Sequence, residues 1–370
     1  MDIARLKRSF AAIAMHGDEV PLHFYADLFL KHPETRQLFP VSMRAQRAHL
    51  VQALATIVGS VGNVDELSAF LRDLGRGHRK FGALAEHYEA VGDSLLATFA
   101  HFSAAEWDAG LAADWSAAYQ LIAGVMVAAA QADEQRHPAY WTGTVIARER
   151  LAFDITALTV RTQPRLDFVP GQSVAIESPA RPRLWRYYSM ANAPRSDGTV
   201  TFHVRLIDGG AVSMALTAGD VVGTELRIGP PAGALRLDTG SARAVLLVAG
   251  STGLAPLKAM LEQLADQAQP PAVHLFFGAR AADGLYDLPS LEKMAAARPW
   301  LTLVPVVSAG PGPGRTGELP DVVCGYADWS QYDAYLAGPS EMVTDCARRL
   351  AAAGTPAAQI HVEDFGWSEP

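Results

Sequence analysis

The chain has 370 residues, 49% of them hydrophobic and 19% charged, and carries a formal net charge of −8. That length holds two to three domains at roughly 150 residues each, and that balance suits packed cores rather than extended disorder. An acidic chain with scattered basic residues argues against nucleic acid as a partner, and its two cysteines, Cys324 and Cys346, are too few for a four-cysteine iron–sulfur or zinc site, which excludes a plant-type ferredoxin module.

Residues 1–15 alternate charged and apolar positions at helical spacing and lack a signal-peptide core. The longest apolar patch, 121–130, is short and interrupted by Gly124, so no membrane span is expected. A cytoplasmic monomer without membrane contact is the expectation.

Residues 1–137 read as helix throughout. Leu50, Leu54, Ile57, Val58 and Val61 recur at three and four, as do Tyr88, Val91, Leu95 and Phe99, so each set forms an inward stripe. Residues 104–132 are rich in Ala, a strong helix former. Within this region His78, in Leu74-Gly75-Arg76-Gly77-His78-Arg79-Lys80-Phe81-Gly82, is the candidate metal ligand. Taken alone, one of 11 histidines is as readily a core or surface residue.

His137-Pro138 ends the helices, because proline cannot continue one. Over residues 138–240 the period changes. The runs 144–151, 153–161, 173–177, 199–207 and 221–228 are β-branched and punctuated by Gly and Pro, which predicts a small antiparallel barrel. In its middle stands Leu184-Trp185-Arg186-Tyr187-Tyr188-Ser189-Met190. Arg186 can fork onto a pyrophosphate, Tyr187 or Tyr188 can lie against a flavin ring, and Ser189 can bond a ring nitrogen. An edge strand rich in Arg and Tyr is the alternative reading. Further on, Asp208-Gly209-Gly210-Ala211-Val212-Ser213 offers two glycines whose N–H groups can approach an anion, with Ser213 expected to open the helix behind them.

Residues 241–370 alternate strand and helix. The buried run 244–249 leads into Gly250-Ser251-Thr252-Gly253-Leu254-Ala255-Pro256, a glycine turn and a helix start at the carboxyl end of a strand, where parallel sheets bind ligands. Later strands end at Gly278-Ala279-Arg280 and at Leu336-Ala337-Gly338-Pro339. The chain closes on His361-Val362-Glu363-Asp364-Phe365-Gly366-Trp367.

Taken together these motifs resemble the flavohaemoglobin family. The order Phe24-Tyr25, His32-Pro33-Glu34, Leu38-Phe39, His78 and Glu86-His87-Tyr88 is similar to its globin module. Arg-x-Tyr-Ser at 186–189, Phe-x-Pro-Gly-Gln at 168–172, Gly-Gly-x-x-Ser at 209–213 and Gly-x-Thr-Gly-x-x-Pro at 250–256 resemble a ferredoxin-reductase-like module. The resemblance implies a multidomain α, then β, then α/β chain: a globin fold (1–137), an antiparallel FAD-binding β-barrel (138–240) and a parallel-sheet nicotinamide-binding domain (241–370).

It also implies roles for particular residues. His78 is the proximal haem ligand, Phe39 wedges the haem, Tyr25 donates to bound dioxygen, and Tyr88 orients the proximal imidazole. Counting from Phe39 puts His49 at the second distal position, with Leu50 or Gln52 there if the helix register differs. Arg186, Tyr187, Tyr188, Ser189, Gly209, Gly210 and Ser213 fall on the flavin. Gly250, Ser251, Thr252, Gly253, Leu254, Pro256, Gly338 and Pro339 fall on the nicotinamide cofactor, and Phe365 covers the flavin ring. Three departures stand out: no acid occurs at 124–130, where relatives place the glutamate behind the proximal histidine; Ser173 replaces a tyrosine; and Ala337 replaces a cysteine. Asp133 and Glu134 lie about one turn beyond the first gap.

The implied cofactors are haem b, FAD, and NADH or NADPH. Arg280 could meet a 2′-phosphate, while Asp283 and Asp287 nearby favour NADH. The implied activity passes electrons from the nicotinamide through FAD to a haem that binds O2 and converts nitric oxide to nitrate. Two alternatives stay open: an oxygen- or redox-sensing globin with a self-reducing flavin part, and a reductase serving another acceptor.

Overall fold

The structure, a computed structural model, describes residues 1–365; Gly366 and Trp367 of the terminal motif lie outside the described residues. Side-chain caps set several helix starts in the first unit, Met1–Tyr140. Asp2 accepts from the Arg5 N–H at 3.0 Å and opens α1 (Ile3–Ala14). Then come α2 (Glu19–Lys31), a 3-10 turn (Pro33–Leu38) and α3 (Arg44–Gly59). Asn63 caps α4 (Val64–His78) by accepting from Glu66 N–H at 3.3 Å. After α5 (Ala85–Phe102), Asp108 caps α6 (Ala109–Glu134) through Leu111 N–H at 2.7 Å.

Two apolar clusters hold these helices. One gathers Leu6, Ile13, Phe24, Leu28, Phe99 and Trp115; the other joins Ile57, Leu71 and Met126 beneath His78's helix. The two clusters meet the expected inward stripes. Helix α4 crosses α6 so closely that a Cβ on Gly75 would stand 2.3 Å from the Met126 carbonyl oxygen, which requires glycine there. Helix α6 corrects one expectation: its apolar stretch is not a short one. Its 26 residues include an 18-residue window of mean hydropathy 1.3, long and apolar enough to cross a membrane by length and composition. Its residues Leu111, Trp115 and Met126 are buried in the two clusters, and 17% of that window is buried.

The second unit begins at Trp141. Its first part runs β1 (Trp141–Arg150), β2 (Ile155–Gln163), β3 (Ser173–Glu177), β4 (Trp185–Ser189), β5 (Thr199–Arg205), α7 (Ala211–Thr217) and β6 (Glu225–Ile228). Among the described residues these strands form one antiparallel sheet in the order β4-β3-β6-β1-β2-β5. A bridge from Met190 to Phe202 joins the two outer strands, so the sheet closes on itself as expected. Val160, Val174, Ile176, Phe202, Val204 and Ile228 fill its interior.

The remaining elements are β7 (Ala244–Gly250), α8 (Leu254–Ala265), β8 (Val273–Ala279), α9 (Leu288–Ala296), β9 (Leu301–Val307), β10 (Arg315–Thr316), α10 (Leu319–Cys324), β11 (Tyr332–Gly338), α11 (Ser340–Ala352) and β12 (Ile360–Asp364). Their strands pair in parallel in the order β10-β9-β8-β7-β11-β12. The order reverses between β7 and β11, and the carboxyl ends there are where ligands enter open α/β sheets. Buried apolar residues lie on both faces, as a sheet covered by helices on two sides requires.

Candidate functional site

His78 ends α4, which the Gly75 crossing and the Leu71 contact fix against α6. Its Nδ1 lies 2.7 Å from the Leu74 carbonyl oxygen. A carbonyl only accepts, so Nδ1 carries the proton and Nε2 keeps its lone pair. Burial lowers the His78 pKa from its usual range, with the Leu74 bond opposing. A neutral imidazole with a fixed tautomer is the state a metal needs. Among the described residues no group of three or more His, Cys, Asp or Glu side chains could hold a metal ion. A single neutral histidine nitrogen fits the protein ligand that a haem iron takes.

Two details of this ring differ from expectation. Tyr88 does not orient it: its hydroxyl is buried with no hydrogen-bond partner, packed beside Leu74 and Ile122. The Leu74 carbonyl, one turn back on the same helix, takes that part instead. Nor does Asp133 reach the ring. It pairs with Arg79 and, at 2.8 Å, with Nδ1 of His137.

Tyr25, 6% exposed on α2, packs edge-on against Phe39 at 5.4 Å and stacks with Phe29 at 5.7 Å. Burial pushes its phenol up to about 12, opposed by a hydrogen bond to the Gln46 side chain. Gln46 thus stands beside Tyr25, Leu50 packs into the core cluster, and His49 and Gln52 are exposed. Helix geometry explains this placement. Leu50, Leu54 and Ile57 face the core, and Gln46 lies on that stripe one turn before Leu50, whereas His49 and Gln52 sit off it.

On β4, Arg186 gives one hydrogen bond, to the Trp185 carbonyl at 3.0 Å, and no carboxylate pairs with it among the described residues. A guanidinium left with most of its donors suits a pyrophosphate. Tyr188 packs against the barrel core and burial raises its pKa, while Tyr187 is 60% exposed. Ser189 Oγ donates to Glu363 Oε1 at 3.2 Å. Glu363 was not singled out from sequence, yet it is the most perturbed acid near the barrel. Burial pushes it up to about 7, the Ser189 bond opposes, and Oε2 is buried with no protein partner. An orphaned polar atom beside the flavin motif fits a ligand that supplies the missing bond.

Ser213 departs from expectation. Helix α7 opens at Ala211, and the Ser213 hydroxyl is spent internally, accepting from Ile207 N–H at 3.1 Å and donating to the Gly210 carbonyl at 3.0 Å. It holds the turn, so an anion here would meet backbone N–H groups around Gly209, whose φ is +71°.

At the end of β7 the backbone of Gly253 passes Ala337 so closely that a Cβ would stand 2.0 Å from that carbonyl oxygen. Ser251 adopts a φ of +54° and its hydroxyl accepts from Arg205 at 2.9 Å. Thr252 is half-buried. Leu254 and Pro256 are fully buried, so they serve the α8 core and offer a ligand at most their backbone. Gly250 and Gly338 both lie under Met342 of α11, and Pro339 caps that helix. Phe365 donates its N–H to the Gly338 carbonyl at 3.0 Å. Asp287 is not available to a ribose, because it is buried in an ion pair with Lys258; Arg280 and Asp283 are exposed at the end of β8.

Three family models match the chain in succession: globin at residues 22–126, the oxidoreductase FAD-binding domain at 142–237 and the oxidoreductase NAD-binding domain at 247–348. A flavohemoprotein of Rhizobium meliloti (strain 1021) is 27% identical over 394 residues, covering 98% of this chain and 96% of the relative. The chain belongs to the flavohaemoglobin family. Its cofactors are accordingly haem, FAD and a nicotinamide dinucleotide. The crystal structure of a flavohemoglobin from Malassezia yamatoensis shares the fold, with a TM-score of 0.82 at 16% identity over 98% of each chain. The FAD/NAD-binding domain of a nitric oxide dioxygenase from Vibrio cholerae shares the fold of the second unit, with a TM-score of 0.55 at 23% identity over 61% of this chain and 98% of that one. That unit of this flavohaemoglobin also resembles the xylene/toluene monooxygenase electron transfer component XylA of Pseudomonas putida, at 34% identity over 60% of this chain and 65% of XylA, so the chain spans just under two thirds of that relative.

Proposed function

We propose that this flavohaemoglobin is an NAD(P)H-dependent nitric oxide dioxygenase of the cytoplasm, acting on O2 and nitric oxide, with modules at 1–137, 138–240 and 241–370. Bound haem would supply the oxygen chemistry, and bound FAD would convert the electron pair of a hydride into single electrons. The observation that carries the reading is the combination in one globin unit of a neutral, tautomer-fixed His78 and a buried Tyr25 beside half-buried Gln46.

His78 would hold the iron through Nε2, with the Leu74 carbonyl keeping the ring in register. Tyr25, packed against Phe29 and Phe39, would donate a hydrogen bond to the gas ligand, with Gln46 aiming that hydroxyl. Arg186 would hold the pyrophosphate of FAD, and Tyr188 and Ser189 would contact its ring. Glu363 stands behind Ser189 as a carboxyl that can hold a proton near neutral pH. The Gly250–Gly253 turn and Gly338 seat the dinucleotide. NADH is the donor proposed, since Asp283 stands exposed where a ribose 2′-hydroxyl would bond, although Arg280 is exposed beside it.

The test is product stoichiometry under NADH, O2 and nitric oxide. Two nitrates per NADH are expected, with the yield lost in His78→Ala. NADH oxidation without nitrate would overturn the proposal. The likeness to XylA favours a second reading, a reductase for another acceptor, which predicts faster reduction of an added ferredoxin than of the chain's own haem.

A further inference from the structure

The chain's two cysteines meet, although 21 residues separate them in sequence. Cys324 ends α10 and Cys346 lies midway along α11, each three residues from the Asp321–Arg349 ion pair that joins the two helices. Both sit in the apolar cluster under the outer face of the parallel sheet, Cys346 fully buried and Cys324 half-exposed at its rim. A charged clasp stands beside them: Arg349, one turn's breadth from Cys346, pairs with Asp321 of α10 and, at 2.7 Å, with Asp345 of α11.

The pair is chemically unequal. The Cys346 thiol, with Arg349 helping, holds the Cys324 thiol below its usual range, while the Cys324 thiol and burial push Cys346 up. The thiolate is the reactive form, so Cys324 is the accessible nucleophile and Cys346 the shielded partner. Neither residue is among those assigned above to the flavin, haem or nicotinamide.

We propose that Cys324 and Cys346 form an oxidisable dithiol, a modification site at which a peroxide closes a disulfide between α10 and α11. In the first step Cys324 sulfur attacks the peroxide, the O–O bond breaks, and sulfenic acid and water result for hydrogen peroxide. In the second, Cys346 sulfur displaces the sulfenic oxygen as a second water, forming the S–S bond. Two electrons and two protons leave the thiols and reduce one peroxide to two waters. A dithiol reductant reverses the closure. The bond lands on the helix whose first turn, at Met342, backs Gly250 and Gly338.

The experiment uses the full chain loaded with haem and FAD. It is exposed in parallel to a few equivalents of hydrogen peroxide and to diamide, a two-electron thiol oxidant that keeps iron–peroxide chemistry out of the measurement. After denaturation and alkylation, the tryptic peptide 316–348, which carries both cysteines, is weighed. The expected peptide is unalkylated and two hydrogens lighter than the reduced form, and recovers both thiols with dithiothreitol. In Cys346→Ser, peroxide converts Cys324 to a dimedone-trappable sulfenic acid and then to sulfinic acid. In Cys324→Ser, Cys346 remains a thiol. Both variants are checked for unchanged haem and flavin absorption. Two alkylated cysteines in the wild-type chain after both reagents, or sulfinic acid at Cys324 in place of the disulfide, would overturn the proposal.

Discussion

At the scale of single residues, the globin unit turns on hydrogen bonds that a linear count of positions does not reveal. An order of aromatic and histidine positions in the sequence makes His78, Tyr25 and Phe39 the candidates. Gln46 is not among them, since the segment between Phe39 and α3 sets the helix phase and leaves no mark in the spacing. Tyr25→Phe removes one donor worth about 1 kcal/mol, so O2 should leave ferrous protein about three- to tenfold faster in stopped-flow; an unchanged rate would assign the donor elsewhere. Gln46→Leu should shift the same rate in the same direction, and His49→Leu should not. Glu363 escaped notice for another reason, because only folding brings it to Ser189. Its carboxyl rises from 4.5 to about 7 on folding, so the native chain keeps a proton that the unfolded chain loses between those values. Its contribution to stability is full below about pH 4.5 and is lost as pH rises through about 7. Glu363→Gln should flatten denaturant midpoints across that window, and a slope equal to wild type would contradict the assignment.

At the scale of elements, the alternation of β-branched runs with Gly and Pro announced the barrel, and the buried run at 244–249 announced the first parallel strand. What the pattern could not carry was the use of each side chain inside a turn. Ser213 looked like a phosphate ligand and proves to be a brace for its own loop. Leu254 and Pro256 belong to a recognisable motif, yet their side chains are buried core. Arg186→Ala should remove a charged hydrogen bond of roughly 1.5–3 kcal/mol and weaken FAD binding about ten- to hundredfold, measured by flavin fluorescence, while the haem spectrum holds. Helix crossing offers a sharper trial. Gly75→Ala drives a methyl into the Met126 carbonyl and should cost about 1–3 kcal/mol by overpacking. It should also disturb the Soret band, because the same helix ends in His78; a stable variant with an unaltered band would mean that the α4–α6 approach does not position the ring.

At the scale of the whole molecule, the succession of helical, barrel and parallel-sheet parts follows from changes in hydrophobic period along the chain, which is why the fold class was readable. The direction of electron flow is a property of the assembled chain and is written in no single motif. The central claim is that reducing equivalents from a nicotinamide reach the iron held by His78 within one polypeptide. The most direct measurement mixes the anaerobic holoprotein with NADH under carbon monoxide and follows the Soret band. The account predicts conversion to the ferrous carbonyl spectrum, slowed when FAD is depleted by Arg186→Ala and abolished in His78→Ala. A haem that stays ferric while the flavin is reduced and passes its electrons to an added ferredoxin would contradict it.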